Sequence, residues 1–181
     1  MSGPLARILA GVIELFLSII ISVLVVYVSY RVFNKANTDF DQEEELKKNN
    51  MAVGLLLAAI MVSSGTIIQK GLYPILSLIH IYFTAPAKQS LSEWQLLAFS
   101  LVHFILVFAL AVLTISLALR LYGKLTTKIQ EGKELEKGNV AVAIVLSAVV
   151  ITVSLYVGGA IGSLSKSLIP QPSIGKIHIL E

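Results

Sequence analysis

The sequence predicts an all-α membrane protein of four transmembrane helices, arranged as two tandem, parallel-repeat helical hairpins. Three observations lead there. Of 181 residues, 56% are hydrophobic and 14% charged, against about 25% charged in a soluble domain, and mean hydropathy is +0.84. Four apolar runs, at about 5–33, 51–69, 96–119 and 140–164, can each cross roughly 30 Å of hydrocarbon at ~1.5 Å of rise per residue. The chain is also written twice. Glu45-Leu46-Lys47-Lys48-Asn49-Asn50-Met51-Ala52-Val53 returns without a gap as Glu134-Leu135-Glu136-Lys137-Gly138-Asn139-Val140-Ala141-Val142, a shift of 89 positions. At that offset Arg31 falls on Arg120, Lys35 on Lys124, Thr38 on Thr127, Leu57 on Leu146 and Ala59 on Ala148, which marks a tandem duplication.

The first repeat covers 1–83, an external linker 84–95, and the second repeat 96–181. The first run is too long for a signal-peptide core and has no small-residue cleavage pattern at its end, so it reads as a retained span. After it comes a polar loop, Asn34–Asn50, whose second half reads as a short helix capped by Thr38, Asp39 or Asp41. No proline or glycine stands between Lys48 and the second span, so this helix is expected to run straight into that span. Glu45 with Lys48, and Glu134 with Lys137, sit at i, i+3, placing one ion pair at each membrane entrance.

The second span is rich in small residues, and Gly54 and Ala58 four apart suit close helix approach. Segment 72–83 is apolar, broken by Pro74 and too short to span; an interfacial position is expected, with continuation of the second helix as the alternative. Trp94 marks the headgroup level of the third span. In the fourth, Gly158 and Gly162 form a G-x-x-x-G packing face. Pro170 and Pro172 end the helical part, leaving a loose tail.

Net charge is +3, but the basic residues gather at span ends, which argues for membrane insertion rather than nucleic-acid binding. Nine of them lie in the two repeat loops and five on the opposite side. By the positive-inside bias the repeat loops are expected in the cytoplasm and both termini outside. With no cysteine, disulfides and thiol chemistry are excluded.

The E-L-x-K-x-N-x-A-V motif at Glu45–Val53 and Glu134–Val142, with the two-copy, four-span layout, resembles the DUF350 family of small bacterial inner-membrane proteins. On the motif, the resemblance leaves out Leu72–Ser92 and the tail after Lys166. It implies a bacterial plasma-membrane location and an accessory membrane role, and it implies no activity.

No phosphate-binding glycine loop, H-E-x-x-H or G-x-S-x-G is present, so no enzyme activity and no cofactor are expected. The sharper candidates are polar groups inside spans. Glu14 and its repeat equivalent His103 fall ~10 and ~14 Å below Arg7 and Trp94 at 1.5 Å per residue. Ser63, Ser64 and Thr66 fall at a similar level, as do Thr152 and Ser154, so a polar layer is expected. An ionisable group in a span is a functional-site hypothesis by default; the competing account is a satisfied packing layer in which Glu14 pairs with Arg7 or His103. Adding His80 gives a donor set suited to a transition metal, but the spacing matches no metal motif and no metal is assigned. Asn50 and Asn139, where loop meets span, are either a gate or docking point across a pseudo-twofold axis, or anchors that hold each helix at the headgroup level. The expected function is a non-enzymatic scaffold or accessory subunit, with the lipid bilayer and a homo-oligomeric or other membrane-protein partner around it. The alternative is a small oligomeric channel or transporter for a proton or monovalent cation.

Overall fold

The computed structural model describes residues 4–36, 41–84, 92–125 and 129–168. Six helices follow in order: α1 Pro4–Ala36, α2 Gln42–Lys47, α3 Met51–Thr84, α4 Glu93–Leu125, α5 Glu131–Glu136 and α6 Val140–Leu168. Four of them contain stretches long and apolar enough to cross a membrane: Gly11–Arg31, Met51–His80, Trp94–Arg120 and Val140–Leu168. The chain is a multi-pass membrane protein of two helical hairpins, α1/α3 and α4/α6, each interrupted on its loop by one short helix. The proposed caps Thr38 and Asp39, the centre of the linker and the tail beyond 168 lie outside the described residues.

The second helices of the two hairpins, α3 and α6, form the centre. α1 packs on α3, and α4 lies against both α3 and α6. The core is mainly apolar: Leu56, Ile60, Ile67 and Ile68 of α3 meet Val107, Ala111 and Ile115 of α4 and Leu146, Val150 and Ile161 of α6. In lipid no hydrophobic gain separates helix from acyl chain, so close van der Waals fit must hold these helices together. Glycine supplies that fit. A Cβ on Gly162 would stand 3.1 Å from the Lys70 carbonyl oxygen, and one on Gly158 3.5 Å from Ile67 Cα. The α3 and α6 backbones therefore touch where these glycines face Ile67 and Lys70.

Three expectations change. Segment 72–83 is not a separate piece: α3 continues through Pro74 to Thr84. The reason is packing, since Leu72 and Ile75 are buried in the bundle. At ~1.5 Å per residue the 34-residue α3 is about 50 Å long, so it tilts or projects beyond the hydrocarbon. Second, α2 does not run straight into α3: Asn49 adopts φ +60° between them. Third, Gly54 and Ala58 are not a span–span face. Gly54 faces Leu46 of α2, with its Cβ position 3.7 Å from Leu46 Cδ2, and Ala58 is exposed.

The duplication is not matched by symmetric packing. α4 reaches across to α3, whereas α1 keeps to its own hairpin partner and makes no comparable contact with α6. Only 6% of the α1 span is buried, against 56% of the α3 span. Val25 is the single apolar side chain of α1 that is buried among the described residues.

The glycine geometry sets a paired test. Gly162→Ala drives a methyl group against a backbone carbonyl that cannot yield, and should destabilise the protein by about 1–3 kcal/mol, the usual cost of overpacking. Gly159→Ala meets nothing within 4 Å and should stay within about 0.5 kcal/mol of the parent. Thermal unfolding in one detergent measures both; equal losses would show that α3 and α6 do not pack through this face.

Candidate functional site

The duplicated motif folds into the same helix–turn–helix twice. In the first copy the Asn49 N–H donates to the Leu46 carbonyl at 3.0 Å and the Asn50 N–H to the Glu45 carbonyl at 3.0 Å. The second copy repeats both bonds, Gly138 to Leu135 and Asn139 to Glu134, each at 2.9 Å. This is a Schellman helix end, which needs a left-handed residue just past the cap. Gly138, at φ +79°, fills it without cost, and Asn49 is the side chain that best tolerates it. The next residue turns the chain back into helix: Asn50 Oδ1 accepts the N–H groups of Ala52 and Val53, and Asn139 Oδ1 accepts that of Val142. Asp41 caps α2 in the same way, while its equivalent Gln130 makes no side-chain cap bond.

Each motif glutamate binds the lysine and the asparagine that follow it. Glu45 accepts from Lys48 Nζ at 3.0 Å and from Asn50 Nδ2 at 2.8 Å; Glu134 accepts from Lys137 Nζ and Asn139 Nδ2, both at 2.9 Å. These bonds, the asparagine amide foremost and the lysine next, hold both carboxyls below the usual glutamate range. Glu45, and then Glu44, raise the Lys48 ammonium above its own. One member does more than its copy. Asn50 Nδ2 also donates to the Leu135 and Glu136 carbonyls, at 2.8 and 3.1 Å, and so ties the first turn to the second. Among the described residues Asn139 makes no return bond.

The expected polar layer divides into separate places. His103 is buried on α4 and directs Nε2 at the Gly71 carbonyl, 3.2 Å away; since that oxygen only accepts, Nε2 carries the proton. Phe99 stacks on the His103 ring at 6.3 Å. Pro74 lies close by: it has no N–H for the Lys70 carbonyl and crowds the turn before it. Neighbouring helices satisfy or cover such freed groups in membranes. Here His103 takes Gly71 O, and Gly162 lies over Lys70 O. Gly71 is obligatory as well, because a Cβ there would be 2.5 Å from Val107 Cγ1.

Glu14 does not pair with His103, because α1 packs on α3 and barely meets α4. Its neighbour is His80 of α3, with Nδ1 3.7 Å from Oε2. The Arg7 side chain lies outside the described residues. Glu14, Ser18, Ser22, Thr66, Gln69 and Tyr73 line a cleft between α1 and α3, of about 590 Å³, floored by Val25, Met61 and Ile68. Thr66 donates to the Val62 carbonyl and Ser22 to the Ser18 carbonyl. Ser64 is turned away into the core and donates to Ile60 O, while Ser63 is buried without a partner. Thr152 is exposed, and Ser154 is buried and donates to Ile151 O. Among the described residues no three metal-binding side chains gather.

Sequence reasoning missed Ser18, Ser22, Gln69 and Tyr73. The signal was present: Glu14, Ser18 and Ser22 recur every fourth residue and share one helix face, whereas the same face of the second copy reads His103, Val107, Ala111.

A family model described as Domain of Unknown Function (DUF350) matches residues 7–85 and, a second time, residues 90–179. Those ranges take in most of 72–92 and the tail to 179, which the motif alone had left out. No curated protein and no solved structure matches the chain.

The unequal asparagines give a testable order. Each alanine variant loses a helix cap worth about 1 kcal/mol, but Asn50→Ala also strips the Leu135 and Glu136 carbonyls of a donor and should cost about 1 kcal/mol more. Because Glu45 and Glu134 are depressed when folded, their contribution is complete above roughly pH 4.3, the unfolded glutamate value, and is lost as pH falls through the lower folded values. Acid unfolding curves should therefore show Asn50→Ala and Asn139→Ala losing less stability than the parent between about pH 5 and about pH 3. Equal costs for the two variants at neutral pH would remove the cross-repeat role of Asn50.

Proposed function

The chain belongs to the DUF350 family in two tandem copies, and from that premise we propose that it is a non-enzymatic scaffold or accessory subunit of a bacterial plasma-membrane complex. The observation that carries the reading is α1. A helix with 6% of its span buried presents Phe16, Ile20 and Val23 outward, each more than half exposed. Packing alone holds helices together in lipid, so such a helix is suited to receive another protein. The bundle centre, filled by Ile60, Ile67, Val107 and Val150, supports a structural role over a pore through the monomer. The occupant of the α1 face is a second copy or another membrane protein, and the repeat loops face the cytoplasm.

One observation favours the second reading, a proton or monovalent-cation channel or transporter: the cleft holding Glu14 beside His80. Flux of protons and alkali cations into proteoliposomes separates the two, with no flux above empty vesicles expected on the first.

Because the chain lacks cysteine, single cysteines test assembly and orientation cleanly. Cysteines replacing Phe16, Ile20 or Val23 should cross-link in native membranes to a species larger than the monomer; failure at all three would overturn the assembly reading. Cysteines at the exposed Lys47 and Glu136 should be shielded from an impermeant thiol reagent in intact cells, and one at the exposed Gln95 labelled. The opposite pattern would reverse the orientation.

A further inference from the structure

We infer that the pocket between α5 and the first turn of α6 binds the phosphate of an anionic phospholipid, held by the ammonium groups of Lys133 and Lys137. The pocket has a volume of about 330 Å³, and Gln130, Lys133, Glu134, Lys137, Asn139 and Val142 line it. It lies away from the α1 face and from the α1–α3 cleft, so it stands apart from either reading of the function.

The donors converge and are not spent. An ammonium carries three protons. Lys137 gives one to Glu134 Oε1 at 2.9 Å, and Lys133 makes none of the ion pairs found among the described residues. The Lys137 N–H donates to the Lys133 carbonyl at 3.1 Å, so the two side chains leave one face a single turn apart and can reach one anion. Gln130, one turn earlier, makes no side-chain cap bond and brings an amide to the same lining. Glu134 is the one carboxylate there among the described residues, and both its oxygens are engaged, by Lys137 and Asn139. Glu131 turns instead toward Gly123 of α4.

The first copy shows that this charge is no requirement of the turn. Asp41, Glu44, Glu45 and Lys48 occupy the positions of Gln130, Lys133, Glu134 and Lys137. Three carboxylates and one ammonium give −2 in the first copy, whereas one carboxylate and two ammoniums give +1 in the second. Glu44 and Glu45 close on Lys48 at 3.1 and 3.0 Å, a set complete in itself. The backbone bonds of the turn are the same in both copies. Lys133 is therefore not explained by folding, and an anion explains it.

Position selects the source of that anion. Val142 belongs to the first turn of the α6 span, which begins at Val140, and Val140, Ile144 and Val145 are exposed apolar side chains at that end. Such side chains belong among acyl chains, so the pocket stands at the level of the lipid phosphates. Basic pockets at this level suit acidic headgroups. A zwitterionic headgroup would set its own cation against the two lysines.

The test is thermal unfolding of the full chain in phosphatidylcholine nanodiscs, with phosphatidylglycerol added in steps. Binding to the folded state gives a saturable rise in Tm, expected here at a few degrees. Lys133→Glu copies the first repeat and lets the new carboxylate pair with Lys137. It should abolish most of the rise without lowering Tm in pure phosphatidylcholine. Lys133→Gln should reduce the rise, and decides the matter if Lys133→Glu does not fold. Lys47→Glu makes the same change of charge at an exposed site on α2 and should keep the rise. Equal losses in Lys47→Glu and Lys133→Glu would reduce the effect to general attraction by an anionic surface and overturn the site. No rise with phosphatidylglycerol, or a rise untouched by both Lys133 variants, would overturn it as well. Inorganic phosphate at matched ionic strength in phosphatidylcholine discs separates the sources: a rise there, absent with phosphatidylglycerol, would overturn the lipid in favour of a soluble phosphate.

Discussion

Inside a membrane no water stands ready to receive a backbone group that loses its partner, and that constraint organises the centre of this protein. α3 crosses as one helix although Pro74 removes a hydrogen bond from its interior. Two other helices close over the carbonyls just before that proline. Gly162 admits α6 to Lys70 O, and His103 reaches from α4 to Gly71 O. Gly71 in turn must lack a side chain so that Val107 and Ile161 can close over it. A proline, two glycines and a histidine thus depend on one another across three helices, and they set how α3, α4 and α6 meet.

The architecture was legible in the sequence because membrane spans are long and the duplication is ungapped. Gly158 and Gly162 sit at the α3–α6 contact because their spacing places them on one helix face. Other features were hidden for physical reasons. Asn49 carries a left-handed conformation that asparagine seldom announces, and the signal lay unread in the glycine at its repeat position, Gly138. Segment 72–83 looked too short to span, so an interfacial position was preferred to continuation of the helix, since the packing that carries it on comes from helices far away in sequence. Glu14 was matched to His103 by position in the repeat. Position within a repeat gives a level in the membrane but not a neighbour, and the neighbour proved to be His80.

The two copies have diverged in what their shared positions do. Asn50 and Asn139 both cap a helix, yet only Asn50 spans the two turns. Glu14 faces a cleft, while His103 is consumed by a backbone carbonyl. The faces of α1 and α4 follow suit, hydroxyl-bearing in one and apolar in the other. α4 has become part of the core and α1 has stayed at its edge. A duplication that began as two equal hairpins now has one half that completes the bundle and one half with a surface left to use.

The parallel course of α3 and α6 has an electrostatic consequence. Each helix carries a macrodipole equivalent to about half a positive charge at its amino end, and here both amino ends meet on the same side, tied through Asn50. Two aligned dipoles in a low-dielectric surround repel. Glu45 and Glu134, each bonded to the asparagine that caps its helix, place a full negative charge at each of those ends. The glutamate of the repeated motif therefore sets a carboxylate at the positive end of each of two parallel spans, where it is shared with the lysine three residues on.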